Sequence, residues 1–392
     1  MRVLLFNADY LRFQDWFYGQ RPELKTASYT IQLAARNASL FGVADFYSRN
    51  FAALGHPAAE LHVNNPWLQS AWASEHGMHI APWTETEARR APPAWLERAA
   101  APLKPMLRPL ARKIGLSPRL DAQATEILLA QVETFRPDLI INQDVFHVDT
   151  TVMRRIKGIG SPILVGQVGI EPPRGEDLTV YDLMLSQLPR IVGCLRALGV
   201  HAELSHLAFE PDVLKVLPER PNLDIDVSFV GTVSMDHRQR LVLLEAVARH
   251  FDLKFWGGRP ETLPASSPLH RCYQGEVWGA EMFQVLRRSR ITLNSHIDLA
   301  GREAGNMRLF EATGAGAFLL TDFKDNLDSL FAPDREVAAW RSIDDCVNAI
   351  GHYLGDRAGC AAIAQAGQAG TLARHTYRHR VSEILELVQA IR

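Results

Sequence analysis

Cysteine is scarce. Four residues, Cys194, Cys272, Cys346 and Cys360, lie far apart in a chain of 392, with no C-x-x-C and no clustered Cys/His spacing. That argues against a disulfide framework or a zinc site and fits a reducing cytoplasm. Excess charge is missing too. Lys and Arg total 42 against 44 Asp and Glu, a net charge of −2, so no overall field recruits nucleic acid. No apolar run approaches the ~20 residues of a membrane span. The opening MRVLLFNADY holds a strand-length apolar core, too short for a signal peptide. Nor does a G-x-G-x-x-G follow that strand, so the dinucleotide fingerprint is absent where it belongs. What remains is 47% hydrophobic content over a length that supports two cores. A soluble, cytoplasmic α/β protein is expected.

The most informative stretch runs from Ile291 to Asp322. Ile291 to Asn294 reads as a buried parallel strand, and a polar loop follows from His296 to Gly305. A compact helix over Asn306 to Thr313 stops at Gly314 and Gly316, and Ala317 to Thr321 reads as a second buried strand. This is a βαβ unit, and in open parallel sheets ligands sit at the carboxyl ends of the strands. Asn306 suits the N-cap, and the free N–H groups behind it would meet an anion over the loop. His296 flanks that loop and is able to contact a sugar or phosphate. Glu303 and Glu311 are separated by seven residues. The bland alternative for Glu311 is a helix-surface carboxylate paired with Arg308, worth only tenths of a kcal/mol.

In the amino-terminal half, Met1 to Phe6 is a first strand with Asn7 and Asp9 at its end. Helical periodicity spans Ser28 to Ala53, and Ala58 to Val63 is a second strand. Between Arg98 and Arg119 six basic residues occur without an acid, interleaved with Leu103, Met106, Leu107, Leu110 and Ile114. Such a segment can lie weakly on an anionic membrane. The favoured alternative is a solvated surface helix, broken at Pro105 and Pro109. After a helix at Ala122 to Phe135, strands at Leu139 to Asn142, Ile163 to Gly166 and Leu183 to Leu185 follow. They end in Gln143, Asp144, His147 and Asp149, then Gln167 and Glu171, then Ser186. These polar ends would form a cleft wall, with Asp144 and His147 as candidates for a general base or for orienting an acceptor hydroxyl. Equally, Asp144 caps a helix and His147 is an ordinary loop histidine.

In the carboxyl-terminal half, Asp226 to Val230 opens a new sheet and ends in Gly231-Thr232, the entry expected where backbone approaches phosphate closely. A helix begins at His237-Arg238-Gln239-Arg240, and Leu253 to Trp256 is a strand stopped by Gly257-Gly258. Gln274-Gly275-Glu276-Val277-Trp278 reads as the next strand end, with Trp278 favoured for the core over stacking on a base. Asn326-Leu327 to Glu336-Val337 reads as a capped turn and strand, and Ile343 to Leu354 is an amphipathic helix.

The phrase N-M-R-L-F-E-A-T-G-A-G-A-F-L-L-T-D, with the spacing of Glu303 and Glu311, resembles the E-x7-E region of retaining nucleotide-sugar glycosyltransferases with the GT-B fold. More narrowly it resembles a bacterial branch related to the CgeB-like spore-maturation proteins. Segments within Ala27 to Ala73, the His206 to Pro211 connection and the tail with His375, Thr376, Tyr377 and Arg380 are similar to the same branch. The resemblance implies two Rossmann-like α/β domains with parallel sheets facing across a cleft. Residues 1–210 would take the acceptor and 211–372 the donor, with a terminal helix over 373–392 crossing back to the first domain. It implies that Glu311 holds the donor ribose, Glu303 approaches the sugar, and Arg240, or failing that Arg238, neutralises the diphosphate. Gly231, Thr232, Gly275, Val277, His296, Asn306, Met307 and Arg308 complete the expected donor set; the resemblance assigns no acceptor residues, and the polar strand ends offer Asn7, Asp9, Gln167 and Glu171 as the acceptor set. The implied reaction is metal-independent transfer of a hexosyl-type sugar, with retention if Glu303 serves. It needs no cofactor beyond the nucleotide-diphospho-sugar, and the acceptor is a glycan, a lipid-linked group or a protein. A nucleotide-sugar epimerase using Asp144 and Glu171, or a non-catalytic partner subunit on the same fold, are the alternatives, because fold alone does not fix function.

Overall fold

A computed structural model describes residues 1–81, 83, 119–173, 175–219, 222–233, 237–258 and 260–392. The basic stretch from Arg98 lies outside them apart from Arg119, which pairs with Glu176 at 2.5 Å. The chain divides into two compact units, Met1–Ser205 with Val381–Arg392, and His206–Arg380.

In the first unit six parallel strands form one sheet: β1 (Val3–Asn7), β2 (Ala58–His62), β3 (Leu139–Asn142), β4 (Ile163–Gln167), β5 (Leu183–Ser186) and β6 (Ala202–Leu204). Their spatial order is β2-β1-β3-β4-β5-β6. β1, β3 and β5 are buried along their whole length, which is why they read as continuous apolar runs. Helices α1 (Leu11–Gln20), α2 (Tyr29–Ala38), α3 (Phe46–Ala53), α4 (Pro66–Glu75), α5 (Ala122–Phe135), α6 (Thr150–Lys157) and α7 (Pro189–Ala197) complete the unit. The helical pattern over residues 28–53 is broken into α2 and α3. Leu40, Gly42 and Ala44 between them take positive φ, a conformation the helix cannot contain.

The second unit has five parallel strands: β7 (Ile225–Val230), β8 (Leu253–Trp256), β9 (Ser289–Leu293), β10 (Leu319–Asp322) and β11 (Ala338–Trp340), in the order β11-β10-β9-β7-β8. Helices α8 (Arg238–His250), α9 (Leu269–Cys272), α10 (Gly279–Arg288), α11 (Met307–Gly314), α12 (Leu327–Leu330), α13 (Ile343–Gly355) and α14 (Arg357–Arg374) belong to it, and α15 (Tyr377–Ala390) runs from this unit into the first. Residues 274–278 are not the expected strand. Gly275 has φ +98, and only Tyr273 bridges to Phe255, so the segment is a loop tied to the end of β8 by the Gly257 N–H to the Gly275 carbonyl at 3.0 Å. At the far end of α11, Gly314 leaves room for the Phe209 ring, which a Cβ would meet at 2.2 Å.

Each sheet reverses direction once. In the first, β2 and β3 flank β1; in the second, β8 and β9 flank β7. Such switch points open a crevice at the carboxyl ends of the strands. Both units are thus Rossmann-like, and each carries its candidate residues at that edge.

Candidate functional site

In the second unit β7 ends at Val230, and Gly231 and Thr232 follow at the switch point. Gly257, at the end of β8, lies so close that a Cβ there would stand 1.9 Å from the Gly231 carbonyl oxygen. Glycine at 257 therefore lets the two strand ends and the Gly275 loop meet. One turn into α8, Arg240 turns inward and is 7% exposed, whereas Arg238 is exposed on the helix. Arg240 donates from Nη1 to the Thr232 carbonyl and from Nη2 to the Ser295 carbonyl, each at 2.7 Å. Its Nε has no partner, and the guanidinium lies 5.5 Å from the Phe229 ring centre. Burial pushes its pKa down to about 10, against the pull of Asp322 and Asp298 and helped by repulsion from Arg308, so it remains a cation at neutral pH. Among the described residues its hydrogen bonds go to carbonyls, so the guanidinium keeps capacity for an anion.

The loop after β9 brings α11 to the same edge. Asn306 caps the helix, accepting from Leu309 N–H at 3.4 Å, and exchanges amide hydrogen bonds with Asn294 at 2.9 and 3.3 Å. The Asn294 amide also donates to Thr321 at 2.9 Å. The free N–H groups of this first turn are the positive end of the helix dipole. Met307 beside them is half-buried. Further along, Arg308 donates to Glu311 at 2.7 Å and to the Val230 carbonyl at 3.3 Å, and its Nε has no partner. Glu311 is not the surface carboxylate of the bland reading: it is 8% exposed. Burial raises its pKa, and the Arg308 cation opposes the rise.

Glu303 is half-buried on the loop, which is pinned to the strand edge beyond β10. Ala304 N–H donates to Asn326 at 2.6 Å, and Arg302 pairs with Asp325 at 2.6 Å. His296 sits at 4% exposure with its ring bonded inside the protein, to Asp322 and Gly305. Arg240 and Arg308 thus reach the backbone on either side of Gly231, at Thr232 and Val230, Arg240 also reaches Ser295 beside the Asn294 that Asn306 bonds, Arg308 carries Glu311, and Gly275 is tied to Gly257. Val277 lies two residues on in the same loop.

In the first unit Asn142, at the end of β3, accepts from Asp144 N–H at 3.1 Å. The Asp144 carboxylate accepts from the backbone of Phe146 and His147 and, at 2.8 Å, from His147 Nδ1. Burial would raise the Asp144 pKa; the hydrogen bond and charge of His147 outweigh it and hold the group below its usual value. Asp144 thus caps the turn after β3 and holds the His147 ring. Gln143 donates to Gln167 at 3.0 Å, while Glu171 is exposed and 3.4 Å from Arg190. Asn7 is buried. Asp9 needs correction. Its carboxylate is buried against Arg36 at 2.5 Å and His62 at 3.3 Å, which hold it far below the carboxylate range despite burial. It orders the chain just after β1 through these pairs inside the unit.

Sequence reasoning missed Asp322, the partner of His296, and Asn294, the partner of Asn306; both close apolar strands, the one available signal. The chain's D-x-D tripeptide, Asp224-Ile225-Asp226, stands at the amino end of β7, ion-paired to Arg288 and Arg290, away from the site. Among the described residues no His, Cys, Asp or Glu trio is placed to hold a metal ion, and no helix is long and apolar enough to cross a membrane.

No curated protein matches the sequence significantly. Residues 238–386 match a family described as glycosyl transferase-like. Among solved structures, the chain is similar to HepE from Anabaena in complex with UDP-glucose, with a TM-score of 0.58 at 11% identity over 100% of both chains. It is similar to a glycosyltransferase from Rickettsia africae, at 0.57 and 8% identity over 100% of this chain and 98% of that one. AviGT4, a glycosyltransferase involved in avilamycin A biosynthesis, gives 0.56 at 12% identity over 100% and 98%. The fold is GT-B, two Rossmann-like domains with parallel sheets, and with the family match it supports a glycosyltransferase.

Proposed function

We propose that the protein transfers a sugar from a nucleotide-diphospho-sugar to an acceptor hydroxyl. The observation that carries this is the buried Arg240 cation, bonded among the described residues to carbonyls, with Arg308 close enough to act on its charge. These groups suit the diphosphate, whose charge grows as the bond from the anomeric carbon to phosphate oxygen breaks. Guanidinium forks and helix N–H groups stabilise that charge without a metal, being already oriented before the reaction. Glu311 takes the ribose hydroxyls, Glu303 faces the sugar, and Gly231, Thr232, Gly275 and Val277 supply backbone to the phosphates and base. That HepE is solved with UDP-glucose and with UDP supports this class of donor. The resemblance of the Asn306–Asp322 phrase implies the CgeB-like branch, and retention if Glu303 serves as the first Glu.

In the amino-terminal unit Asp144 fixes the proton of His147 on Nδ1, leaving Nε2 to orient the acceptor hydroxyl and take its proton. Gln167 and Glu171 stand at the next strand end. A thermal-shift screen with UDP-, GDP- and dTDP-sugars and CMP conjugates tests the reading. At least one should raise the midpoint of the wild type and not of Arg240→Ala. No shift with any of them contradicts it.

A further inference from the structure

His296 opens the donor loop and Gly305 closes it. The ring Nδ1 lies 2.7 Å from Asp322 Oδ1, and the His296 backbone N–H donates to both Asp322 oxygens at 3.1 and 3.2 Å. Gly305 N–H donates to Nε2 at 3.3 Å. An N–H arriving at Nε2 requires a lone pair there, so the proton sits on Nδ1 and points at Asp322. The imidazole is therefore a clasp between the two ends of the loop, with both ring nitrogens engaged inside the protein. Asp322 is suited to the clasp. Burial would raise its pKa, but His296 and Lys324, at 3.3 Å, hold it below the usual carboxylate value.

What the clasp holds decides its importance. On one side the preceding carbonyl, that of Ser295, receives Arg240 at 2.7 Å. On the other, Gly305 adjoins Asn306, the cap of the helix whose free N–H groups face the same edge. Cation and helix end are thus fixed relative to each other through one ring, a connection between residues that loop entropy would otherwise leave variable. We infer that His296, oriented by Asp322, is a positioning residue that presets the 295–305 loop for an anionic ligand and touches no ligand itself. This rests on the donor-site reading, since the loop is worth presetting only if a diphosphate lies against it.

The test uses the full chain and titrates UDP, GDP and dTDP by calorimetry into the wild type, His296→Gln and His296→Asn. Glutamine offers an acceptor near the place of Nε2, and asparagine a donor near the place of Nδ1. The inference predicts that His296→Asn loses about tenfold in affinity, the worth of one buried hydrogen bond, while His296→Gln stays within a few-fold. Both variants should lower the ligand-free melting midpoint similarly, so a purely structural role would weaken binding equally in both. Equal losses, or none, overturn the inference while wild-type binding preserves the donor site. A wild type that binds none of the three overturns both. Should the variants not fold, hydrogen exchange on the ligand-free wild type decides. Protected amides at His296 and Gly305 support the clasp, and exchange at the rate of an open loop overturns it.

Discussion

Arg308 and Glu311 stand three residues apart on α11, joined by a hydrogen bond of 2.7 Å from Nη1 to Oε2, with side chains only 14% and 10% exposed. An exposed pair at this spacing is worth tenths of a kcal/mol. Burial changes that. Removing one partner strands the other charge away from water, so Arg308→Ala should cost on the order of 3 kcal/mol in urea unfolding. Glu311→Ala should weaken nucleotide binding at least tenfold in a calorimetric titration. Equal affinity in that variant would remove Glu311 from the donor site.

Gly257 makes a second point measurable. A methyl group there meets the Gly231 carbonyl oxygen at 1.9 Å, so the backbone at the end of β7 has to move. Gly257→Ala should lower the melting midpoint by several degrees, for a strain of about 1–3 kcal/mol. It should also reduce nucleotide affinity more than Gly193→Ala, a position where nothing lies within 4 Å of the added carbon.

Acid should destabilise the second unit through two histidines. Burial pushes His206 and His375 down to about 4, helped for both by the Arg380 charge. The unfolded chain binds a proton at each near pH 6.5, which the folded chain refuses until about 4, so stability rises with pH across that window. Each contributes a slope of up to about 1.4 kcal/mol per pH unit. Urea midpoints measured from pH 4.5 to 7 should fall on acidification, and less steeply in a His206→Gln/His375→Gln variant.

The Asp144–His147 pair gives a catalytic prediction. Loss of a general base costs about 10²–10⁴ in rate. His147→Gln should lower turnover by at least about a hundredfold while leaving nucleotide affinity unchanged, and Asp144→Asn should do so less severely. Rates within threefold of wild type would confine the pair to capping its turn.

Much of this was legible in the chain. Strands buried on both faces read as apolar runs, the Asn306 cap and the Gly231 turn were marked by residue type and position, and Arg240 was singled out by the resemblance. Two kinds of feature were not. Positive φ at Leu40 and Ala44 broke one helix into two with no glycine or proline at those positions to announce it. Pairings distant in sequence were hidden as well. Asp9 meets Arg36 and His62, and His296 meets Asp322, only because the sheet order sets their strands and helices side by side. Asp9 and His296 looked available for ligands because their partners were invisible.

The most direct measurement is a crystal structure of the full chain with a bound nucleotide-sugar. The account predicts diphosphate oxygens within hydrogen-bond distance of the Arg240 guanidinium and of the first N–H groups of α11, with ribose hydroxyls at Glu311. A nucleotide bound elsewhere, with Arg240 still bonded only to Thr232 and Ser295, would contradict it.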